Sequence, residues 1–305
     1  MNSRRLKERG KRWDSLMSSP APSFGVPTTP RHRQARFPWR DKDIPIQKMM
    51  DPYTLMQQGN DAFSRGDYGS ALTFYLKSVK GIREDPAPLA DLYGNIGNVY
   101  GVIGKIDDAI GYYKKGMEIL RRIEDYGRLG VTYVNIGNLY TDQGNAEKGI
   151  HFYKQGILLL ERSGKEEELA VLYGNISLAL VQCSEPHTSL KYAEKGMALA
   201  NKLNRPRLCA DASHRLAKAK EGIGEKTDAL RLSKAAYSFY HQIKDEMGCA
   251  ASLYHQASLY ESAGDLKAAI YCLNGVIAID EKYALPKLNK NKNRLKELQA
   301  RYPKG

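Results

Sequence analysis

A unit of about 40 residues repeats six times along this chain of 305 residues, and this period constrains the fold more than any other feature. A small residue recurs at spacings of 38, 40, 40, 40 and 40 residues. The six positions are Gly59, Gly97, Gly137, Ser177, Ala217 and Ala257. A fixed period of this size with helical spacing is typical of a helical solenoid, in which neighbouring units share their cores. The sequence therefore predicts an open array of six units.

Each unit has the pattern of a helix hairpin. A residue suited to a turn stands seven positions after each small residue, at Gly66, Gly104, Gly144, Ser184, Gly224 and Gly264. Glycine adopts the left-handed conformation that ends a helix without a Cβ penalty. Asp67, Asn145 and Asp265 follow directly and can cap the next helix, whereas unit four has Pro186, which suits a first turn.

Small residues in the middle of both helices predict a close approach of the two backbones. Gly97 with Ala109, and Gly137 with Gly149, are the clearest pairs. A glycine inside a helix costs about 1 kcal/mol relative to alanine, so its recurrence in register indicates a packing role. Another row of glycines, at Gly116, Gly156 and Gly196, is expected where the second helix of one unit meets the next unit.

Units two and three carry the most regular pattern. In unit two it comprises Tyr93, Ile96, Gly97, Tyr100, Gly104, Ala109, Tyr113 and Gly116, and in unit three Tyr133, Ile136, Gly137, Tyr140, Gly144, Gly149, Tyr153 and Gly156. This pattern resembles the tetratricopeptide repeat (TPR) family over residues 52 to 280, with 40-residue units similar to LGN/Pins and kinesin light chain repeats. The resemblance implies an all-α, right-handed superhelical solenoid of six TPR helix hairpins plus a C-terminal capping helix.

The chain divides into three parts. Residues 1–50 contain 12 Lys and Arg, 4 Asp and Glu and 6 of the 13 prolines, which predicts a disordered basic Pro-rich tail. A transit peptide, or a start site placed too early, is an alternative reading of this segment. Residues 51–284 form the six-unit array. Residues 285–305 combine leucines with many basic residues, as expected of a C-terminal capping helix; a basic docking surface is the alternative.

Charge and cysteine content restrict the kinds of partner and the cellular compartment that the sequence favours. The net charge of +13 admits anionic partners, and the mean hydropathy of −0.53, without an apolar run of about 18 residues, argues against a membrane span. Four cysteines stand far apart, which argues against a zinc site and a disulfide scaffold. The sequence therefore predicts reduced thiols and a cytoplasmic location, while the oligomeric state stays open.

The sequence contains none of the common catalytic patterns. It lacks H-E-x-x-H, G-x-S-x-G, a P-loop and an EF-hand loop, and none of its six histidines pairs with another histidine or a cysteine at metal-ligand spacing. We therefore expect no enzymatic activity, no cofactor and no metal.

Asparagines recur at two equivalent positions of the first helices, namely Asn60, Asn95, Asn98, Asn135, Asn138 and Asn175. Asparagine is a poor helix former, so its repetition needs another cause. The TPR resemblance implies that first helices line a concave groove, where such amides hold the main chain of an extended peptide. The alternative is that they tie neighbouring first helices together, or simply accompany the repeat. If they serve the ligand, their replacement by alanine should affect folding little.

Later units place other residues at the groove positions: His214, Arg215, Lys218, Tyr254 and His255. Positive charge there favours an acidic segment, although a solvated basic face explains it equally well. The sequence thus predicts a non-catalytic protein-interaction scaffold or adaptor that binds an extended, possibly acidic, peptide segment. The alternative is a nucleic-acid-associated protein that uses the N-terminal tail, where eight arginines interleave with Trp13, Phe24, Phe37 and Trp39.

Overall fold

A computed structural model describes residues 51–82 and 85–302, and these residues form thirteen α-helices and no strand. In chain order, the helices are α1 (Pro52–Ser64), α2 (Tyr68–Gly81), α3 (Pro86–Val102), α4 (Ile106–Arg122), α5 (Tyr126–Asp142), α6 (Ala146–Arg162), α7 (Glu166–Gln182), α8 (Pro186–Leu203), α9 (Pro206–Gly222), α10 (Lys226–Gln242), α11 (Glu246–Ser262), α12 (Leu266–Lys282) and α13 (Leu288–Arg301). The predicted tail lies outside the described residues, as does the nucleic-acid hypothesis that depends on it.

Consecutive helices pack into six hairpins, and each second helix also packs against the first helix of the next unit. The apolar core is correspondingly distributed. One cluster joins Tyr75 of unit one to Ile96 of unit two, and another joins Tyr113 of unit two to Ile136 of unit three. The final helix, α13, contacts α12 and buries Leu298 in the core of unit six. This arrangement confirms the predicted all-α solenoid of six hairpins with a C-terminal helix packed on its end.

The turn inside each hairpin has the predicted conformation. Gly66, Gly104, Gly144, Gly224 and Gly264 have positive φ, and Ser184 adopts φ 59° at the equivalent place in unit four. The side chain of Asp67 accepts a hydrogen bond from the Ser70 N–H, and Asn145 and Asp265 act in the same way on the helices that follow them. These caps satisfy amide groups that have no partner within the first turn of a helix.

Glycines let the helices of a hairpin approach, though one row acts differently from the prediction. A Cβ atom on Gly149 would lie 2.9 Å from the carbonyl oxygen of Gly137, so this predicted close approach is confirmed. The row at Gly116, Gly156 and Gly196 was expected to face the next unit. A Cβ atom on each would instead lie 3.2 Å from a carbonyl of the first helix of its own unit. Gly156 also faces the next unit, since its Cβ atom would lie 3.4 Å from the Leu172 side chain. The row therefore lies mainly between the two helices of one unit and only in part against the next unit.

None of the thirteen described helices is both long enough and apolar enough to cross a lipid bilayer.

Candidate functional site

The first helices of the six units, α1, α3, α5, α7, α9 and α11, form one surface, which we call the first-helix wall. Asparagine amides connect neighbouring helices along its N-terminal part. Nδ2 of Asn95 donates to Oδ1 of Asn60 at 3.3 Å, Asn135 donates to Asn98 at 3.4 Å, and Asn175 donates to Asn138 at 3.2 Å. The six predicted asparagines therefore form three bridges between successive units.

Each bridge also receives a tyrosine hydroxyl from the second helix of its own unit. Tyr75 donates to Asn60 at 2.8 Å, Tyr113 to Asn98 at 2.6 Å, and Tyr153 to Asn138 at 2.7 Å. The tyrosine ring reaches the amide by crossing a glycine of the first helix: a Cβ atom on Gly97 would lie 2.6 Å from the Tyr113 ring. Glycine, asparagine and tyrosine thus form one structural set in each of units one to three.

The later units lack all three members of this set. Their equivalent residues are Ser177, Leu178 and Ala193 in unit four, Ala217, Lys218 and Ser233 in unit five, and Ala257, Ser258 and Leu273 in unit six. The joint change indicates that the asparagine is selected together with its tyrosine. A tyrosine 15 residues after each such asparagine is the sequence signal for these bridges.

The sequence left open whether the asparagines tie neighbouring first helices together, and the bridges answer this question. The amides do tie neighbouring first helices together, so their replacement by alanine would remove contacts of the fold, contrary to the expectation of little effect. Some hydrogen-bonding capacity is left, however. The Nδ2 groups of Asn98 and Asn138 and the Oδ1 groups of Asn95 and Asn135 make no hydrogen bond to any residue in the described parts of the chain. All four side chains are half-buried.

Arg215 takes over the bridging role between α7 and α9. Its Nη2 group donates to Oδ1 of Asn175 at 3.2 Å, and Nη1 lies 3.9 Å from Asp211. The side chain lies against Gly174, where a Cβ atom would collide with it. Arg215 is only 5% exposed. This guanidinium, which was expected on the groove surface, is therefore buried and engaged between two helices.

His255 bridges α9 and α11 in a similar way. Its Nε2 atom lies 3.0 Å from Oε2 of Glu221, and the ring is 5.7 Å from that of His214 in an edge-on contact. His255 is 5% exposed, so it too is a buried contact and not the surface residue that was expected. Burial lowers the pKa of His214 well below its usual range, and Lys218, His255 and Arg215 add to this effect. His214 is therefore neutral at physiological pH.

The joint between α11 and α13 is ionic. Arg294 donates to Ser258 at 3.1 Å and to Glu261 at 2.8 Å, and its guanidinium lies 4.9 Å from the ring centre of Tyr254. Tyr254, another predicted contact residue, is half-buried beneath it. The first-helix wall therefore has neutral amide bridges in its N-terminal half and bridges with ionisable side chains in its C-terminal half.

Two charged groups on this wall have no hydrogen bond or ion pair with any described residue: Asp142 at the end of α5 and Lys218 in α9. Burial raises the pKa of the Asp142 carboxyl to about 7. Burial also lowers the pKa of the Lys218 ammonium; Glu221 opposes that change, while Lys287 and Arg215 add to it. Lys218 was predicted to belong to the site, whereas Asp142 was missed. In the sequence, Asp142 could have been noticed because the equivalent positions of other units hold uncharged residues, namely Val102, Gln182, Gly222 and Ser262.

Asp142 lies close to the tyrosine-asparagine sets of two units. Burial raises the pKa of Tyr113 and of Tyr153 far above the usual tyrosine value, and the Asp142 carboxylate contributes to both shifts. The preceding residue, Thr141, contacts the Tyr153 hydroxyl at 3.2 Å. Within the described residues, no group of three or more His, Cys, Asp or Glu side chains is arranged to hold a metal ion.

Two segments match the tetratricopeptide repeat family, residues 88–162 and residues 250–283. The chain therefore contains tetratricopeptide repeats. No curated protein matches it.

Solved structures share the fold of this TPR protein. A STAND signal-transduction ATPase with a TPR sensor from Pyrococcus horikoshii is 13% identical, with a TM-score of 0.64 over 82% of this chain and 42% of that one. Kinesin light chain TPR-like repeats from Podosopora anserina are 16% identical, with a TM-score of 0.53 over 67% of this chain and 99% of that one.

A third structure is the Rap conjugation gene regulator of plasmid pLS20 in complex with the Phr* peptide. It is 15% identical, with a TM-score of 0.58 over 82% of this chain and 74% of that one. At these identities the likeness concerns the fold alone. This chain spans less than half of the P. horikoshii protein.

Proposed function

We propose that this TPR protein is a non-catalytic scaffold or adaptor that binds an extended segment of a protein partner along the first-helix wall. The observation that carries the proposal is the row of half-buried amide groups, spaced by one unit, that keep hydrogen-bonding capacity after the inter-helix bridges are made. An extended main chain presents alternating N–H and C=O groups, and amides can bind both kinds irrespective of side-chain sequence.

The bridges occupy part of the hydrogen-bonding capacity of each amide, but they also support this proposal. An amide that is already held in place by a bridge loses little conformational freedom when a ligand binds, which favours affinity. The Tyr113 and Asn135 contacts fix the Asn98 side chain, so that its amino group is held in place on the wall. The comparison structure that contains a Phr* peptide is an example of this fold with a bound peptide.

The wall favours an acidic partner segment where it reaches α9. The half-buried Lys218 supplies an ammonium group there, and the guanidinium of Arg215, although buried, adds positive potential beneath the surface. We further propose a cytoplasmic setting, since Cys183, Cys209, Cys249 and Cys272 are all free thiols.

A selection from random 12-residue peptides displayed on phage, with the full chain as bait, tests the proposal. Selected peptides are then labelled, and their affinity for the full chain is measured by fluorescence anisotropy. The double change Asn95→Ala with Asn135→Ala should weaken them by about tenfold, because each amide hydrogen bond contributes about 0.5 to 1.5 kcal/mol. This variant removes only the longer bridge bonds and leaves all three tyrosine contacts intact.

The matched control removes two exposed amides from second helices, Gln155→Ala with Asn201→Ala, and should leave peptide affinity unchanged. Thermal melting of both variants shows whether the fold is retained. Equal affinity of the selected peptides for both variants would contradict the proposal, and so would a selection that yields no binding peptide.

A further inference from the structure

Asp142 and Lys218 stand apart from the other charged residues of the described chain. Every other carboxylate that is buried or half-buried in residues 51–82 and 85–302 forms a hydrogen bond or an ion pair: for instance, Asp91 pairs with Arg128, and Asp280 accepts from Asn291. The same holds for every other lysine or arginine that is buried or half-buried in those residues. The first-helix wall thus carries one carboxyl group and one ammonium group without a hydrogen-bond or ion-pair partner among the described residues.

The surroundings of these two groups do not supply the missing partner. The Asp142 carboxylate lies near the hydroxyls of Tyr113 and Tyr153, but both hydroxyls donate to asparagine oxygens. The carboxylate that raises the pKa of Lys218 is that of Glu221, and this carboxylate is hydrogen-bonded to His255. A partly buried charge without a partner is costly, and a ligand that brings the opposite charge recovers that cost. The raised pKa of Asp142 and the lowered pKa of Lys218 agree with this deficit.

The two charges are separated by two steps of the array. Asp142 ends α5, α7 lies next along the wall, and Lys218 belongs to α9. Packed helices lie about 8 to 10 Å apart, so two steps span roughly 16 to 20 Å. An extended chain covers about 3.3 to 3.6 Å per residue, and this span therefore corresponds to about five or six residues.

We propose that the partner segment is bipolar, with a Lys or Arg side chain that pairs with Asp142 and an Asp or Glu side chain, about five or six residues away, that pairs with Lys218. This inference rests on the proposed function, which requires only that an extended segment binds along the wall. It adds the charge pattern and its spacing. The pairing also sets the direction of the chain, because reversing the order of the two charges places like charges together at both ends.

A designed set of synthetic peptides tests the charge pattern. Each is a 14-residue host of alternating Ser and Val with one Arg and one Asp placed three, six or nine positions apart, in both orders; the host without charges completes the set. Fluorescence anisotropy measures the affinity of each peptide for the full chain. The six-position peptide should bind at least tenfold more tightly than the uncharged host, in one order only.

Two variants assign the charges to their residues. Asp142→Asn should remove the advantage that Arg gives to the peptide, and Lys218→Met should remove the advantage that Asp gives, each measured relative to the affinity of the same variant for the uncharged host. Glu118→Gln and Lys114→Met make equivalent changes on the exposed face of α4 and should leave the whole set unaffected. Circular dichroism and thermal melting confirm that all four proteins fold.

The outcomes separate this inference from the proposed function. If the uncharged host binds and the charges, their order and their spacing make no difference, the inference is overturned while the proposed function stands. If the charge effects persist in Asp142→Asn and Lys218→Met, the inference is also overturned, because other residues then recognise the charges. Failure of every peptide in the set to bind contradicts both.

Discussion

Three asparagine amides in the N-terminal half of the first-helix wall, those of Asn60, Asn98 and Asn138, are each oriented by a tyrosine hydroxyl from their own unit. The hydroxyl of Tyr113 donates to Oδ1 of Asn98, which then also accepts from Asn135 of the next unit. A buried hydroxyl needs such a partner, since a buried polar group without a hydrogen bond costs about 1 to 3 kcal/mol. Asn98 therefore stabilises its own hairpin and the joint to the next unit, and it also presents an amide group on the first-helix wall.

The change Tyr113→Phe tests this role at the scale of one hydroxyl. We expect it to lower the free energy of unfolding by about 0.5 to 1.5 kcal/mol, because Asn98 loses a hydrogen bond while the ring keeps its packing. Urea unfolding of the full chain measures the effect. The control is Tyr112→Phe on the same helix, whose hydroxyl makes no hydrogen bond to a described residue and whose loss should change stability little. Equal effects of the two changes would show that the contact with Asn98 is unimportant.

The candidate site was only partly predictable from sequence at this scale. The recurrence of asparagine at Asn95, Asn98, Asn135 and Asn138 is a pattern in the sequence alone. Their hydrogen-bond partners are 15 and 35 to 37 residues away, so finding them requires the crossing geometry of helices in two units. The burial of Arg215 was unpredictable for the same reason, because it depends on the space above Gly174.

Helices were more predictable than the turns between units. Turn glycines such as Gly104 and caps such as Asp67 mark the hairpin turns, and the structure has turns at these places. The turns between units also contain one left-handed residue each, at Glu124, Gly164, Asn204, Lys244 and Ala284. Gly164 and Asn204 are residue types that favour this conformation. Glu124, Lys244 and Ala284 carry no such signal, because the packing of one unit on the next imposes their positive φ values.

Two glycines of α3 provide a prediction at the scale of one helix. Gly97→Ala should lower the free energy of unfolding by about 1 to 3 kcal/mol, because its new methyl group would lie 2.6 Å from the Tyr113 ring. Gly94→Ala should raise it by up to about 1 kcal/mol, since alanine favours the helix and no atom of another helix lies within 4 Å of the new methyl group. Urea unfolding compares the two variants. A similar gain in both would show that helix propensity outweighs the contact with Tyr113.

The whole molecule is a one-dimensional array in which stability is transmitted from unit to unit. The joints differ along its length: amide bridges connect units one to four, whereas Arg215, His255 and Arg294 make the later joints. At the C-terminal end, α13 covers the core of unit six with Leu298, which is 1% exposed. Because each unit contacts only its neighbours, damage at this end should spread by one or two units and no further.

The change Leu298→Ala tests how far such damage spreads. Loss of this buried side chain should weaken the packing of α13 on unit six by about 2 to 4 kcal/mol. Hydrogen exchange followed by mass spectrometry should then show faster exchange in α11, α12 and α13, while α3 to α6 keep the protection of the unaltered chain.

Gln299→Ala, an exposed change on the same helix, should leave exchange unaltered in every helix and thereby exclude an effect of helix propensity. The comparison also separates two modes of folding for the array. If exchange in α3 to α6 rose with that of α12 after Leu298→Ala, the six units would unfold as one cooperative block. The amide bridges of units one to four would then share their stability with the distant charged joints, in conflict with a nearest-neighbour array.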